Sequence, residues 1–106
     1  MITIDEFQKV ELRVGTVMAA GPHPNADRLL VLQVRVGDED RQIVAGIRAH
    51  YDPAALVGRQ IVVVANLQPV KLRGVESQGM MLAASADDRL VFVTPERPIP
   101  AGAPVR

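Results

Sequence analysis

The 106-residue chain contains no cysteine and no tryptophan. Without a thiol it can form no disulfide, use no cysteine nucleophile and hold no zinc through sulfur. Aromatic residues are almost as scarce: Phe7, Tyr51 and Phe92 are the only ones. Proteins that grip single-stranded nucleic acid stack bases on several aromatic rings, and three cannot build such a platform. Net charge is also missing, since 12 Lys and Arg balance 12 Asp and Glu. No global field therefore points to nucleic acid or to an anionic membrane. Apolar runs are short, as at Ile61 to Ala65, and none can span a bilayer. The start, Met1-Ile2-Thr3-Ile4-Asp5-Glu6, has no basic segment and reaches acid at once, unlike a secretory signal. A cytoplasmic chain is expected.

What remains is an ordinary globular composition, 48% hydrophobic and 23% charged, of a size suited to one domain over residues 1–106. Thr3 and Glu6 stand at capping-box spacing and predict a short first helix, with Phe7 and Val10 facing the body. From Glu11 the period becomes two: Leu12, Val14, Thr16 and Met18 alternate with Arg13, Gly15 and Val17. Gly15 within that strand is expected to mark a bulge or sharp coil, and Gly21-Pro22-His23-Pro24-Asn25 to end it. Leu29 to Val36, Arg41 to Ala45 and Gln60 to Ala65 read as the next strands, followed by Met80 to Ala84 and Leu90 to Thr94. Between the third and fourth, Asp52-Pro53-Ala54-Ala55-Leu56-Val57-Gly58 carries the start and stop signals of a miniature helix. The tail holds Pro95, Pro98, Pro100 and Pro104, too many for a central strand, and should wrap the surface. About six short strands, one of them curled by glycine, with a helix between the third and fourth suit a small closed all-β barrel of the oligonucleotide-binding (OB-fold) type. Long helices between strands are absent, which argues against a parallel doubly wound sheet.

No catalytic set emerges. His23 and His50 lie 27 residues apart with no carboxylate at ligand spacing, so no metal centre and no cofactor is indicated. Ser77 and Ser85 lack a nucleophile elbow, and Gly74 and Gly79 lack the Gly-Lys-Ser/Thr of a phosphate loop. Charge is more telling locally. Residues 1–40 carry four cations against seven acids, a net of −3, whereas residues 41–75 carry five against Asp52 alone, a net of +4. That middle could form a basic stripe on one side of the barrel, or part of an ordinary mixed surface. Within it, Asn66-Leu67-Gln68-Pro69-Val70-Lys71-Leu72-Arg73-Gly74-Val75-Glu76-Ser77-Gln78-Gly79-Met80 is the most distinctive stretch. If extended, it points Lys71 and Arg73 to one face, where two cations can meet consecutive phosphates. Read as a connection with solvated charges, it needs no ligand. Both readings follow from the residues alone.

Four blocks together resemble the bacterial tRNA-binding domain family: Arg13-Val14-Gly15-Thr16-Val17, His23-Pro24-Asn25-Ala26-Asp27-Arg28-Leu29, Asn66-Leu67-Gln68-Pro69 and Arg73-Gly74-Val75-Glu76-Ser77-Gln78-Gly79-Met80. This family supplies the C-terminal appendix of many methionyl-tRNA synthetases, stand-alone tRNA-binding proteins, and a part of endothelial monocyte-activating polypeptide II. The resemblance implies a five-stranded Greek-key barrel with added terminal strands, a homodimer built partly on those strands, and non-catalytic recognition of tRNA by shape. Shape recognition agrees with the aromatic shortage, because it draws on cations and hydrogen bonds more than on stacking. By motif position it implies a binding face of Arg28, Asn66, Lys71, Arg73, Ser77 and Met80. Lys71 and Arg73 would meet phosphates, Asn66 and Ser77 sugars or base edges, and Met80 would be an apolar contact or core. Arg28 stands where the motif usually has Lys, keeping the charge and changing its geometry. Expected partners are tRNA, a second copy, and a methionyl-tRNA synthetase joined in cis or acting in trans; the chain suits a stand-alone protein or an appended domain. The export-related chaperone CsaA shares the barrel and dimer plan, so peptide binding is the alternative. The Pro-Asn-Ala-Asp and Ser-x-Gly-Met signatures favour tRNA.

Overall fold

The computed structural model describes all 106 residues. Two four-residue helices, α1 (Ile4–Phe7) and α2 (Pro53–Leu56), accompany ten strands. These are β1 (Leu12–Pro22), β2 (Leu30–Val36), β3 (Glu39–Ala45), β4 (Gln60–Val64), β5 (Val70–Leu72), β6 (Val75–Ser77), β7 (Met80–Met81), β8 (Ala83–Ala86), β9 (Arg89–Phe92) and β10 (Pro104–Val105). Five of them run side by side as β3-β2-β1-β4-β7 in one curled sheet, with β10 added to β1, while β5–β6 and β8–β9 are separate hairpins. With α2 between the third and fourth strands, this is the expected all-β oligonucleotide-binding barrel.

β1 is the hub, pairing antiparallel with β2, β4 and β10. It runs through Pro22, farther than expected, because Pro22 sits opposite Leu30 at the last rung of the ladder, where a missing amide matters least. The bulge is not at Gly15. The register shifts between Val17 and Ala19, leaving Met18 exposed as the extra residue. Gly15 serves packing instead: a Cβ there would stand 2.5 Å from Cγ1 of Val34, so β1 approaches the inward valines of β2 more closely than any side chain permits.

The interior is aliphatic. Leu30, Leu32, Val34 and Val36 point inward from β2 with Ile43 from β3 and Ile61 and Val63 from β4, and together with Met81 and Phe92 they join one buried cluster. Closure between β3 and the β5–β6 side relies largely on side chains. The Val44 amide donates to Ser77 Oγ at 2.9 Å and the Gln42 amide to Gln78 Oε1 at 2.9 Å. In return the Gln78 amide donates to the Gln42 carbonyl at 2.7 Å, and Gln42 Nε2 to the Glu76 carbonyl at 2.8 Å. This seam fixes the β5–β6 hairpin against the barrel.

Two terminal features depart from expectation. The capping box at Thr3 and Glu6 forms, yet α1 buries nothing, and Phe7 and Val10 remain 38% and 43% exposed instead of facing the body. The tail does follow the surface, but its end pairs with β1, Pro104 opposite Arg13 and Val105 opposite Leu12. A proline fits there because β10 is a two-residue edge strand. The barrel also carries a second apolar layer. Val62 and Val64 alternate with the inward Ile61 and Val63, and lie opposite Val14 and Leu12 in register. The Val62 amide donates to the Val93 carbonyl at 3.2 Å, which brings this layer up to the exposed Val91 and Val93 of the β8–β9 side.

Candidate nucleic-acid interface

Two connections meet at one end of the barrel: the β1–β2 loop, residues 23–29, and the β5–β6 hairpin. The loop closes its own neck, with the His23 amide donating to the Leu29 carbonyl at 3.0 Å. The His23 ring is buried, 3% exposed, and its Nδ1 accepts the Asn25 amide at 2.9 Å. Its Nε2 lies 2.9 Å from the Leu72 carbonyl in β5. A carbonyl only accepts, so Nε2 carries the proton and donates, which is the neutral tautomer that serves both partners. The hairpin reciprocates, since Arg73 Nη2 donates to the Asn25 carbonyl at 3.3 Å.

Arg73 and Gly74 form the hairpin turn with φ of 53° and 89°. Positive φ at both central residues is the twist a two-residue hairpin requires. Arginine is an unusual occupant, because its Cβ crowds the backbone in the left-handed region. The premise that Lys71 and Arg73 share a strand face therefore fails: Lys71 lies on β5 opposite Glu76, whereas Arg73 sits at the hairpin tip. The tip brings it against the β1–β2 loop, which strand geometry alone would not.

Cations converge on that loop. Of the 12 in the chain, five lie within 4.0 Å of a carboxylate: Arg13, Arg35, Arg41, Arg89 and Arg97. Among the others, Arg28 belongs to the loop, and Arg48 donates its amide to the Arg28 carbonyl and Nη1 to the Ala26 carbonyl, at 3.4 and 3.5 Å. Arg73 holds the neighbouring carbonyl, and Lys71 follows two residues before it. Arg48 and Arg73 each commit one guanidinium donor, and with Arg28 they remain exposed to solvent. Arg48 was not singled out from the sequence. Its only trace there is the positive balance of residues 41–75, since it sits in a segment with no motif.

The other expected contacts are placed differently. Ser77 is 2% exposed and both of its bonds are internal, accepting from Val44 and donating to the Gly79 carbonyl at 2.9 Å. Asn66 is exposed but braced: its Oδ1 accepts the Glu11 amide at 2.9 Å and its Nδ2 donates to the Lys9 carbonyl at 2.7 Å. Met80 lies opposite Val64 on β7, 45% exposed, at the edge of the outer apolar layer. Gly79 is needed by the barrel, not by a ligand: a Cβ there would stand 2.7 Å from the Val64 carbonyl oxygen. The structure thus places Arg28 and Arg73 at the β1–β2 loop and Lys71 on the strand that leads into the hairpin tip, and separates Asn66, Ser77 and Met80 from them by task.

The outer face of β2 and β3, the usual ligand face of such barrels, is spent on itself. Arg35 Nε donates to Asp40 at 2.6 Å, and this hydrogen bond and charge push the guanidinium above its ordinary range. Gln33 donates to Gln42 at 3.0 Å on the same face, while Arg41, opposite the inward Val34 in register, is tied to Glu39 and to the Ala65 carbonyl. No aromatic ring lies on either strand. Elsewhere, no three His, Cys, Asp or Glu side chains converge as a metal site would require.

The family model described as "Putative tRNA binding domain" matches residues 12–104. The chain belongs to this tRNA-binding domain family. It is 55% identical over 104 residues to the methionine–tRNA ligase of Thermotoga maritima, covering 98% of this chain and 16% of that enzyme. Across such ligases it spans about one-seventh to one-sixth of their length. Among solved structures, a MetRS-related protein from Pyrococcus horikoshii superposes with a TM-score of 0.94 at 36% identity, covering 100% of this chain and 98% of the other. Chaperone CsaA of Bacillus anthracis superposes with a TM-score of 0.91 at 29% identity, covering 100% and 99%.

Proposed function

We propose that this tRNA-binding domain is a non-catalytic, structure-specific tRNA binder that serves an aminoacyl-tRNA synthetase, methionyl first, in cis or in trans. The observation that carries this reading is the group Arg28, Arg48, Lys71 and Arg73 at the junction of two loops, none of them within 4.0 Å of a carboxylate. Guanidinium forks match phosphate oxygens, and rigid spacing of several such contacts recognises the course of a folded backbone without reading bases. The self-paired, ring-free β2–β3 face supports the same conclusion, since it offers no stacking surface for a single strand. Ser77 contributes by bracing the hairpin against β3, and Asn66 keeps one N–H available to a sugar. The module acts in the cytoplasm, where its tRNA and synthetase partners are.

One cluster of cations binds weakly, and a homodimer doubles it. The surface for a second copy is formed by Val91 and Val93, 56% and 40% exposed, together with the exposed Met80 and the uncovered Phe7 and Val10. The test is competition. Labelled tRNA should be displaced best by folded tRNA, poorly by single-stranded RNA and not by an unfolded peptide. The same exposed apolar residues and the likeness to CsaA support a second reading, peptide binding; preferential displacement by the peptide would establish that reading in place of the first. In light scattering the protein should have the mass of two chains, and Val91→Asp that of one.

A further inference from the structure

We infer that His23 is the positioning residue of the RNA site: its ring locks the β1–β2 loop to the β5–β6 hairpin, so that guanidiniums from three distant chain segments act as one phosphate-binding unit. The inference rests on the tRNA reading above and names the device that assembles its site. Arg28, Arg48 and Arg73 come from the loop, from the segment after β3 and from the hairpin tip, and no strand pairing joins the loop to the hairpin. The joints between these two connections are the His23 bond to Leu72, across 49 residues of sequence, and the Arg73 bond to Asn25, across 48. The second uses a cation that binding to phosphate would draw away. The first uses a ring that is buried and bonded only within these two connections, where phosphate does not compete for it. Its two nitrogens also divide the work. Nδ1 shapes the loop by accepting the Asn25 amide, whereas Nε2 makes the cross-loop joint.

That division makes the role testable. Asparagine places its side-chain oxygen near the Nδ1 position and keeps the loop turn, while glutamine reaches the Nε2 position and keeps the donor to Leu72. If the cross-loop joint assembles the site, His23→Gln should bind tRNA within about threefold of the parent. His23→Asn and His23→Ala should lose about tenfold and show a salt dependence shallower by about one phosphate. A histidine that merely stabilised the fold would lower the melting temperature of the variants without altering the salt dependence of the folded fraction. Equal binding by all three, or a loss in His23→Gln as large as in His23→Asn, would overturn the inference. Where His23→Ala does not fold, the asparagine and glutamine pair decides alone. Backbone amide exchange of residues 23–29 and 70–77 gives a reading independent of RNA: it should quicken in His23→Asn and stay slow in His23→Gln. Absence of tRNA binding in the parent protein would count against the tRNA reading, and the exchange result would still decide whether His23 couples the loops.

Discussion

The β2–β3 strands carry two cations and the loop end of the barrel four, and the two sets are paired in opposite ways. On β2 and β3, Arg35 and Arg41 are each held by a carboxylate, and Arg35 is pushed above its ordinary range by Asp40. At the loop end, Arg28, Arg48, Lys71 and Arg73 meet carbonyls or solvent, and no carboxylate lies within 4.0 Å. Carbonyls orient a guanidinium without cancelling its charge, whereas a carboxylate does both. A chain of zero net charge can therefore present a local anion site, and pairing rather than composition decides where.

The contrast is broken most severely by reversing the free charges. Lys71→Glu with Arg73→Glu should weaken tRNA binding by about a hundredfold or more, as each lost phosphate contact removes one released counterion and each new acid repels the backbone. Ser77→Ala tests the structural side of the same hairpin. It leaves the buried Val44 amide without its partner, which costs about 1–3 kcal/mol and lowers the melting temperature by several degrees. Salt dependence of tRNA binding at low temperature should not change in this variant. Arg73→Asn separates the two roles within one residue: relief of the left-handed backbone should stabilise the fold by up to about 1 kcal/mol, seen in denaturant titration, while tRNA affinity drops. The smallest effect is expected from Arg35→Ala, whose charge Asp40 already holds; tRNA affinity should stay within about twofold. A large loss there would mean that the β2–β3 face carries RNA after all.

Much of this was legible in the residues. Period-two runs in β1 and β2, the β-branched run of β4, the signals for α2 and the family's four blocks indicated the barrel and its tRNA-binding kinship. Lys71, Arg73 and Arg28 were legible as cations, but the gathering of Arg28, Arg48 and Arg73 at one loop was not, because it comes from hydrogen bonds between segments far apart in sequence. Ser77 and Asn66 read as ligands since their groups suit sugars and bases equally well. Only the seam between β3 and β6 shows that Ser77 is used by the fold. Phe7 and Val10 read as facing the body because an isolated chain is expected to cover them, yet α1 buries nothing whereas the equally short α2 buries Leu56. The bulge at Met18 and the tight packing at Gly15 differ only in what lies across the strand, which no local pattern records.

The central claim is that four unpaired cations at the loop end bind folded tRNA through phosphates. The most direct measurement is the salt dependence of tRNA affinity for the parent protein and for the variant Arg28→Ala, Arg48→Ala, Lys71→Ala, Arg73→Ala. The account predicts a slope of log affinity against log salt that is shallower in the variant by about three units, a little under one per phosphate released. Equal slopes, with the variant folded, would place the tRNA contacts elsewhere on the molecule and contradict it.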